Sequence, residues 1–347
     1  MKKILMSGNE AIAEGALQAG CTFYAGYPIT PQNEIIAYFA NALPERSGVF
    51  IQAESELAAI NMVFGASSAG VRAMTSSSSP GVSLKQEGIS YIAGAELPAV
   101  IVNIMRGGPG LGNIWPAQSD YFQSTRGGGH GDYRCIVIAP YCVQEAYDLM
   151  FTAFDRADKY RMPVIVLGDG MLGQVMEPII PYRKAHIVYR KPWALTGCRG
   201  REPNIAKSFF MVEGDLEKAN IKLQKKYQMI QQKEERFEGL FLDDAKIILV
   251  AYGTMARIVK SVVHKLRKDG LKIGLIRPIT LWPFPNKVFN QNLKPKTKYL
   301  TIEMSYGQML EDVKLAVNGR VGVEFLGRSG GGVPSEEEII KKIKSLK

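Results

Sequence analysis

Two acids stand two residues apart in Gln52-Ala53-Glu54-Ser55-Glu56, where an apolar run gives way to a helical pattern. A carboxyl group there can move protons as a general acid or base, or can simply complement the positive end of a helix. Three more segments gather polar groups at unusual spacing. Tyr27-Pro28-Ile29-Thr30-Pro31 is stiffened by two prolines and presents the Thr30 hydroxyl. Thr75-Ser76-Ser77-Ser78-Ser79-Pro80-Gly81 offers a row of hydroxyls before a helix. It suits an anion or a partner's backbone, and equally a plain polar turn. Arg106-Gly107-Gly108-Pro109-Gly110-Leu111-Gly112 sets a planar donor fork, fitted to a carboxylate, beside glycines that admit close backbone approach. Gly127-Gly128-Gly129-His130-Gly131-Asp132 is a second glycine-rich loop able to close over a site.

Several chemistries are disfavoured. The Arg106 stretch is not a P-loop, since no Gly-Lys-Ser/Thr follows, and its spacing does not match a dinucleotide fingerprint. Cys21, Cys135, Cys142 and Cys198 contain no Cys-x-x-Cys pair, which points to neither a disulfide framework nor a zinc or iron–sulfur site. His130, His186 and His264 are too scattered for a metal motif.

The elements that must position these residues follow a simple alternation. Through the first 170 residues short apolar runs alternate with helical patterns, as in a doubly wound parallel α/β sheet. The expected strands are Cys21–Ala25, Val49–Gln52, Val71–Thr75, Ala99–Ile104, Ile136–Ala139 and Val164–Leu167. The helices between and before them are Asn9–Ala19, Pro31–Leu43, Glu54–Ser68, Val82–Ala93 and Val143–Tyr160. The Tyr27, Glu54, Thr75 and Arg106 segments then each follow a strand, where ligands of such sheets bind. Residues 183–242 read as a linker with a charged surface helix from about Glu213 to Glu238. From 243 a smaller α/β unit resumes, with strands at Ile247–Ala251, Ile273–Arg277, Tyr299–Glu303 and Val321–Phe325. Its helices are Ala256–Lys268 and Gln308–Val317. The domain boundaries are thus expected at 1–182, 183–242 and 243–347.

Composition bounds the function class. The chain has 347 residues, 46% hydrophobic and 22% charged, the balance of a globular protein of two or three domains. No apolar run approaches the ~18 residues a membrane span needs, and no signal-peptide core follows the basic N-terminus, so a cytoplasmic location without membrane contact is expected. The net charge of +10 is uneven: 11 Lys/Arg face 16 Asp/Glu in residues 1–180, and 32 face 17 in residues 181–347. The basic residues alternate with acidic ones, as on a solvated surface. An acidic protein partner is the second reading, and no aromatic-interleaved stripe suggests nucleic acid.

Taken in order, the loops resemble the alpha-type subunit of the 2-oxoacid:ferredoxin oxidoreductases. The resemblance runs through Tyr27–Pro31, Gln52–Glu56, Thr75–Gly81, Gly94-Ala95-Glu96-Leu97-Pro98 and the Arg106 loop. It continues in Gln118-Ser119-Asp120, His130-Gly131-Asp132 and Val143-Gln144-Glu145-Ala146, and covers essentially the whole chain. Leu275-Ile276-Arg277-Pro278 and Trp282-Pro283-Phe284-Pro285 match the transketolase C-terminal-like domain of that family. The resemblance implies a pyrimidine-side thiamine-diphosphate domain. A beta-type subunit would supply the diphosphate and Mg2+ side, and gamma-type and ferredoxin-like subunits the iron–sulfur clusters. Consistently, Gly168-Asp169-Gly170 looks like the start of a thiamine-diphosphate magnesium motif, but the downstream window Trp193–Cys198 lacks its closing Asn. Asp169 is therefore read as a turn residue and no metal ligand is assigned.

By the same resemblance Glu56, not Glu54, contacts the pyrimidine ring as the catalytic acid. Thr30 and Arg106 hold the 2-oxoacid carboxylate, and Tyr27, Pro28, Ile29 and Ser78 line the cofactor. The implied reaction is CoA-dependent oxidative decarboxylation, with electrons passed to ferredoxin. Thr196–Arg201 and Met211–Asp215 look most like the branched-chain, 2-oxoisovalerate type, ahead of 2-oxoglutarate and pyruvate. Two alternatives remain: a non-catalytic assembly subunit of the same fold, and a nucleotide-binding α/β module. Intact Thr30, Glu56 and Arg106 argue against the first, and the missing phosphate fingerprints against the second.

Overall fold

The computed structural model describes residues 3–182, 187, 189–294 and 296–346; His186 lies outside them. The chain opens with β1 (Ile4–Ser7) and α1 (Gly8–Gln18), joined by a capping box in which Ser7 and Glu10 satisfy each other's backbone amides. Then follow β2 (Phe23–Gly26), α2 (Asn33–Glu45), β3 (Val49–Gln52), α3 (Glu56–Ser68), β4 (Ala73–Ser77), α4 (Ser79–Leu84), α5 (Gln86–Gly94) and β5 (Ala99–Met105). Next come α6 (Tyr121–Arg126), β6 (Ile136–Ile138), α7 (Val143–Tyr160), β7 (Pro163–Asp169), α8 (Gly170–Gln174) and β8 (Met176–Ile179). The remainder is α9 (Asp215–Lys233), β9 (Phe237–Leu240), β10 (Ile247–Val250), α10 (Gly253–Lys268), β11 (Ile273–Pro278), β12 (Thr280–Trp282), α11 (Asn286–Gln291), β13 (Lys298–Glu303), α12 (Gln308–Val317), β14 (Val323–Gly327) and α13 (Glu336–Ser345).

Seven strands form the large sheet in the order β12-β6-β7-β5-β4-β2-β3. All neighbours run parallel except β12, which is antiparallel to β6. Every residue of β5 and β7 is buried, as strands covered by helices on both faces require. A five-stranded sheet in the order β14-β13-β10-β11-β9 forms the second α/β unit, with β9 alone antiparallel. The expected fold class, a doubly wound parallel sheet with a smaller α/β unit, is what the chain adopts.

The details depart from the sequence reading in several places. Pro31 precedes α2 rather than opening it, because Gln32 takes the cap position. The helix expected over Val82–Ala93 is split at Lys85, whose side chain turns into the interior. β1 and β8, too short and too mixed in polarity to stand out, pair as a separate antiparallel ribbon. The stretch expected to be linker also contains β9, which pairs with β11. Its helix α9 is not wholly a surface element either, since Leu223, Tyr227 and Ile230 are buried against the main core.

Candidate active site

In the large sheet β3 lies on one side of β2 and β4 on the other. The chain thus leaves the carboxyl ends of β2 and β4 in opposite directions, and the loops there splay apart into a crevice. The loop after β2 carries Tyr27–Pro31, the turn after β3 carries Glu54–Glu56, and Ser78 follows β4. Arg106 follows β5, the next strand along. The structure brings the four segments singled out in the sequence to one edge.

Glu54 and Glu56 part company here. Ser55 caps α3 by accepting the Ala58 amide at 3.2 Å, which turns Glu56 into the first helical position. Glu56 is 5% exposed while Glu54 is in solvent. No donor among the described residues hydrogen-bonds the Glu56 carboxylate. A Cβ built on Gly81 would sit 2.4 Å from Glu56 Oε1 and 2.2 Å from Ser77 Oγ, so the first turn of α4 passes close to both polar groups. Ser77 Oγ and Ser78 Oγ are both buried without a hydrogen-bond partner among the described residues. A buried carboxylate, two orphaned hydroxyls and a turn cleared of side chain form a polar cradle with unused donors and acceptors. Such groups are costly unless a ligand satisfies them. The cradle fits the polar edge of an aminopyrimidine ring, which offers both donors and acceptors.

The Tyr27–Pro31 loop is held at its carbonyls. Gln32 Nε2 donates to Tyr27 O at 3.3 Å, Arg106 Nη1 to Thr30 O at 2.9 Å, and Asn9 Nδ2 to Pro31 O at 2.8 Å. Gln32 is itself fixed from β4, since Ser76 Oγ donates to its Oε1 at 2.5 Å and meets Tyr24 OH at 2.6 Å. Tyr27, Pro28 and Thr30 remain exposed and Ile29 half-buried, so the loop is rigid yet accessible.

Arg106 is 7% exposed. Its Nη1 and Nη2 are spent on the carbonyls of Thr30 and Leu111, at 2.9 and 3.1 Å, while Nε is buried without a partner. The fork expected to be free is therefore partly engaged in tying its own loop to the Thr30 loop. That loop closes as a tight hairpin, with Gly107 N donating to Trp115 O and Asn113 N to Gly107 O. Gly112 adopts φ +63°, and a side chain there would collide with Gly107 O. Asp120, pushed up by burial, accepts from Ser79 Oγ and Asn103 Nδ2 and locks the base of the loop.

The other candidates behave differently. The Gly127–Asp132 loop bonds to Tyr133 and Gln224, not to Thr30, Glu56 or Arg106. Asp169 is buried at the end of β7 and caps α8 through the Met171 and Leu172 amides; burial raises its carboxyl above the usual range. All four cysteines are free thiols, with Cys21 and Cys135 buried and pushed up to about 12 by that burial. No group of three His, Cys, Asp or Glu side chains able to hold a metal occurs among the described residues. No described helix is long and apolar enough to cross a membrane.

One site residue escaped the sequence reading. Lys85, 0% exposed, donates from Nζ to Thr75 Oγ1 at 2.9 Å. Burial lowers it to about 7, against which the nearby Glu56 charge acts. The signal was present: Val82, Lys85 and Ile89 share one helical face, so a lysine occupies the apolar stripe.

Comparison with known proteins bears on this geometry. Residues 14–236 match the family described as pyruvate flavodoxin/ferredoxin oxidoreductase, thiamine diphosphate-binding, and residues 245–339 match pyruvate:ferredoxin oxidoreductase core domain II. The chain is 50% identical to the ketoisovalerate oxidoreductase subunit VorB of Methanothermobacter marburgensis, over 99% of this chain and 97% of that protein. It is 36% identical to the 2-oxoglutarate synthase subunit KorA of the same organism, covering both chains in full. A solved 2-oxoglutarate:ferredoxin oxidoreductase from Magnetococcus marinus, with 2-oxoglutarate, coenzyme A and succinyl-CoA bound, superposes at a TM-score of 0.90 with 28% identity. It covers 99% of this chain, and this chain spans 65% of it.

Proposed function

The chain belongs to the 2-oxoacid:ferredoxin oxidoreductase family, and from that premise we propose that it supplies the pyrimidine half of a shared thiamine-diphosphate site. The observation that carries this reading is the buried Glu56 carboxylate, unbonded and facing the cleared turn at Gly81 and the orphaned Ser77 and Ser78 hydroxyls. When bound, the cofactor supplies an electron sink for decarboxylation of a 2-oxoacid. Glu56 shares a proton with a pyrimidine ring nitrogen, while Tyr27, Pro28, Ile29 and Ser78 shape the pocket around the ring. Thr30 and Arg106 hold the substrate carboxylate. A beta-type subunit brings the diphosphate and Mg2+ side, and gamma-type and ferredoxin-like subunits carry the iron–sulfur clusters. Coenzyme A accepts the acyl group and ferredoxin the electrons, and the complex works in the cytoplasm. Exposed Tyr27, Leu111 and Trp115 at the crevice rim suit burial against the beta-type partner.

The substrate reading is 2-oxoisovalerate. The higher identity to the ketoisovalerate subunit supports it, and so does the chemistry beside Thr30. There a cleft of about 560 Å³ is lined by Ile114, Trp115, Met171 and Val333, with Glu34 its one charged residue. A branched aliphatic chain is at home on such a lining. The second carboxylate of 2-oxoglutarate would meet a like charge and no cation. Assaying the assembled complex with ferredoxin and coenzyme A against a panel of 2-oxoacids tests this. Preference for 2-oxoisovalerate is expected; equal or greater kcat/KM with 2-oxoglutarate overturns it.

A further inference from the structure

A cation is buried behind Glu56 with no carboxylate in contact. Among the described residues Lys85 forms no ion pair within 4 Å, and its one hydrogen bond goes to the Thr75 hydroxyl at 2.9 Å. Burying an unpaired ammonium is expensive, and a methionine would fill the same volume without that cost. Thr75 and Ser77 stand two apart on β4 and so face the same side of the sheet. Ser77 Oγ and Glu56 Oε1 crowd the same point above Gly81. Lys85, Thr75, Ser77 and Glu56 thus form one polar seam along the carboxyl end of β4, running from the interior to the crevice.

The charges around the seam are few. α3 contributes Glu56 alone and α4 has none. β4 contributes only hydroxyls, and Glu87 of α5 is exposed. Among the described residues Glu56 is the one charged group that acts on Lys85. We propose that Lys85 is a positioning residue for Glu56: its ammonium supplies the buried counter-charge that faces this acid's carboxyl group along the seam. The proposal rests on Glu56 being the pyrimidine acid. Below about pH 7 Lys85 is an ammonium; above it Lys85 gives its proton to solvent and the seam loses its cation. The seam is therefore sensitive to pH near neutrality.

Two measurements test this. In the lysine-labelled full chain, the Nζ nitrogen resonance of Lys85 should titrate at about 7 and shift to lower pH in Glu56→Gln. In the assembled complex, exchange of the thiazolium proton for deuterium should change slope across the same pH in wild type. Lys85→Met and Lys85→Gln should both lose that inflection and slow exchange ~10-fold, the equivalent of one pH unit. Glutamine keeps a donor for Thr75 but no charge, so it separates the two roles. If Lys85→Gln restores the wild-type profile, or if Lys85 titrates identically in Glu56→Gln, the proposal is overturned. Wild-type exchange in Glu56→Gln is a different failure: it removes the pyrimidine assignment and leaves the Lys85 titration to be judged by itself.

Discussion

At the residue scale the decisive contrast lies between two acids two positions apart. Glu56 is buried and unbonded in the crevice; Glu54 is in solvent on the preceding turn. Glu56→Gln is nearly isosteric, so folding and assembly should survive. Loss of a shared proton typically costs ~10²–10⁴-fold, and slowed thiazolium-proton exchange of that order is expected. Glu54→Gln should cost far less, and equal losses would place the acid wrongly. Lys85 gives a second expectation, in stability. Its folded value of about 7 lies below the usual 10.5, so the unfolded chain binds more protons between those limits. Wild-type stability should therefore gain up to about 1.4 kcal/mol per pH unit from this residue as pH rises through that window. Below about 7 the full penalty of burying the ammonium remains. Lys85→Met should melt above wild type near neutrality, with the gap closing toward pH 10.5; a gap independent of pH would show that the lysine is not buried as a titrating amine.

At the element scale the two sheets are tied by a buried arginine. Arg277 on β11 donates twice to Glu145 on α7, at 2.9 and 3.0 Å, and once to Glu238 on β9 at 2.8 Å. Its guanidinium also lies 4.3 Å from the Tyr141 ring centroid. Removing one partner of a buried pair is far costlier than replacing both, because the remaining charges lose their compensation. Arg277→Met should lower stability by ~3–5 kcal/mol in denaturant titrations. Adding Glu145→Gln to it should recover part of that loss, and strict additivity would mean that the two groups are not coupled. This clamp is carried by Val143–Ala146 and Leu275–Pro278, segments that the sequence singled out by resemblance alone. Their physical task is to hold one α/β unit against the other.

At the scale of the whole molecule the proposed function makes the crevice one half of a shared site. It offers a carboxylate, hydroxyls and a turn without side chain, all suited to a neutral ring. Asp169, the residue whose sequence context suggested magnesium, spends its carboxylate on the cap of α8. A diphosphate with its metal needs oxygen ligands and cations, and in the proposed function these come from the beta-type subunit. The isolated chain should accordingly give a weak or undetectable calorimetric signal with thiamine diphosphate and Mg2+ until the beta-type subunit is added. Micromolar or tighter binding by the chain alone would contradict this.

The alternation of apolar runs and helical patterns by itself determined the parallel α/β class, because strands buried on both faces have no polar alternation to hide them. The same alternation determined that Thr30, Glu56, Ser78 and Arg106 all follow strands and so meet at one edge. Val49–Gln52, Val143–Tyr160 and Gln308–Val317 were legible to the residue, since turn or cap signals bound each of them. Other features were decided only by tertiary structure. β1, β8, β9 and β12 are three or four residues long, and such segments become strands only when a partner edge satisfies their amides. Arg106 read as a free fork, but its engagement with Thr30 O depends on two loops remote in sequence lying side by side. Lys85 was visible as a lysine on an apolar face. Whether it would snorkel to water or turn inward depended on the Thr75 hydroxyl, which the fold brings to it from β4.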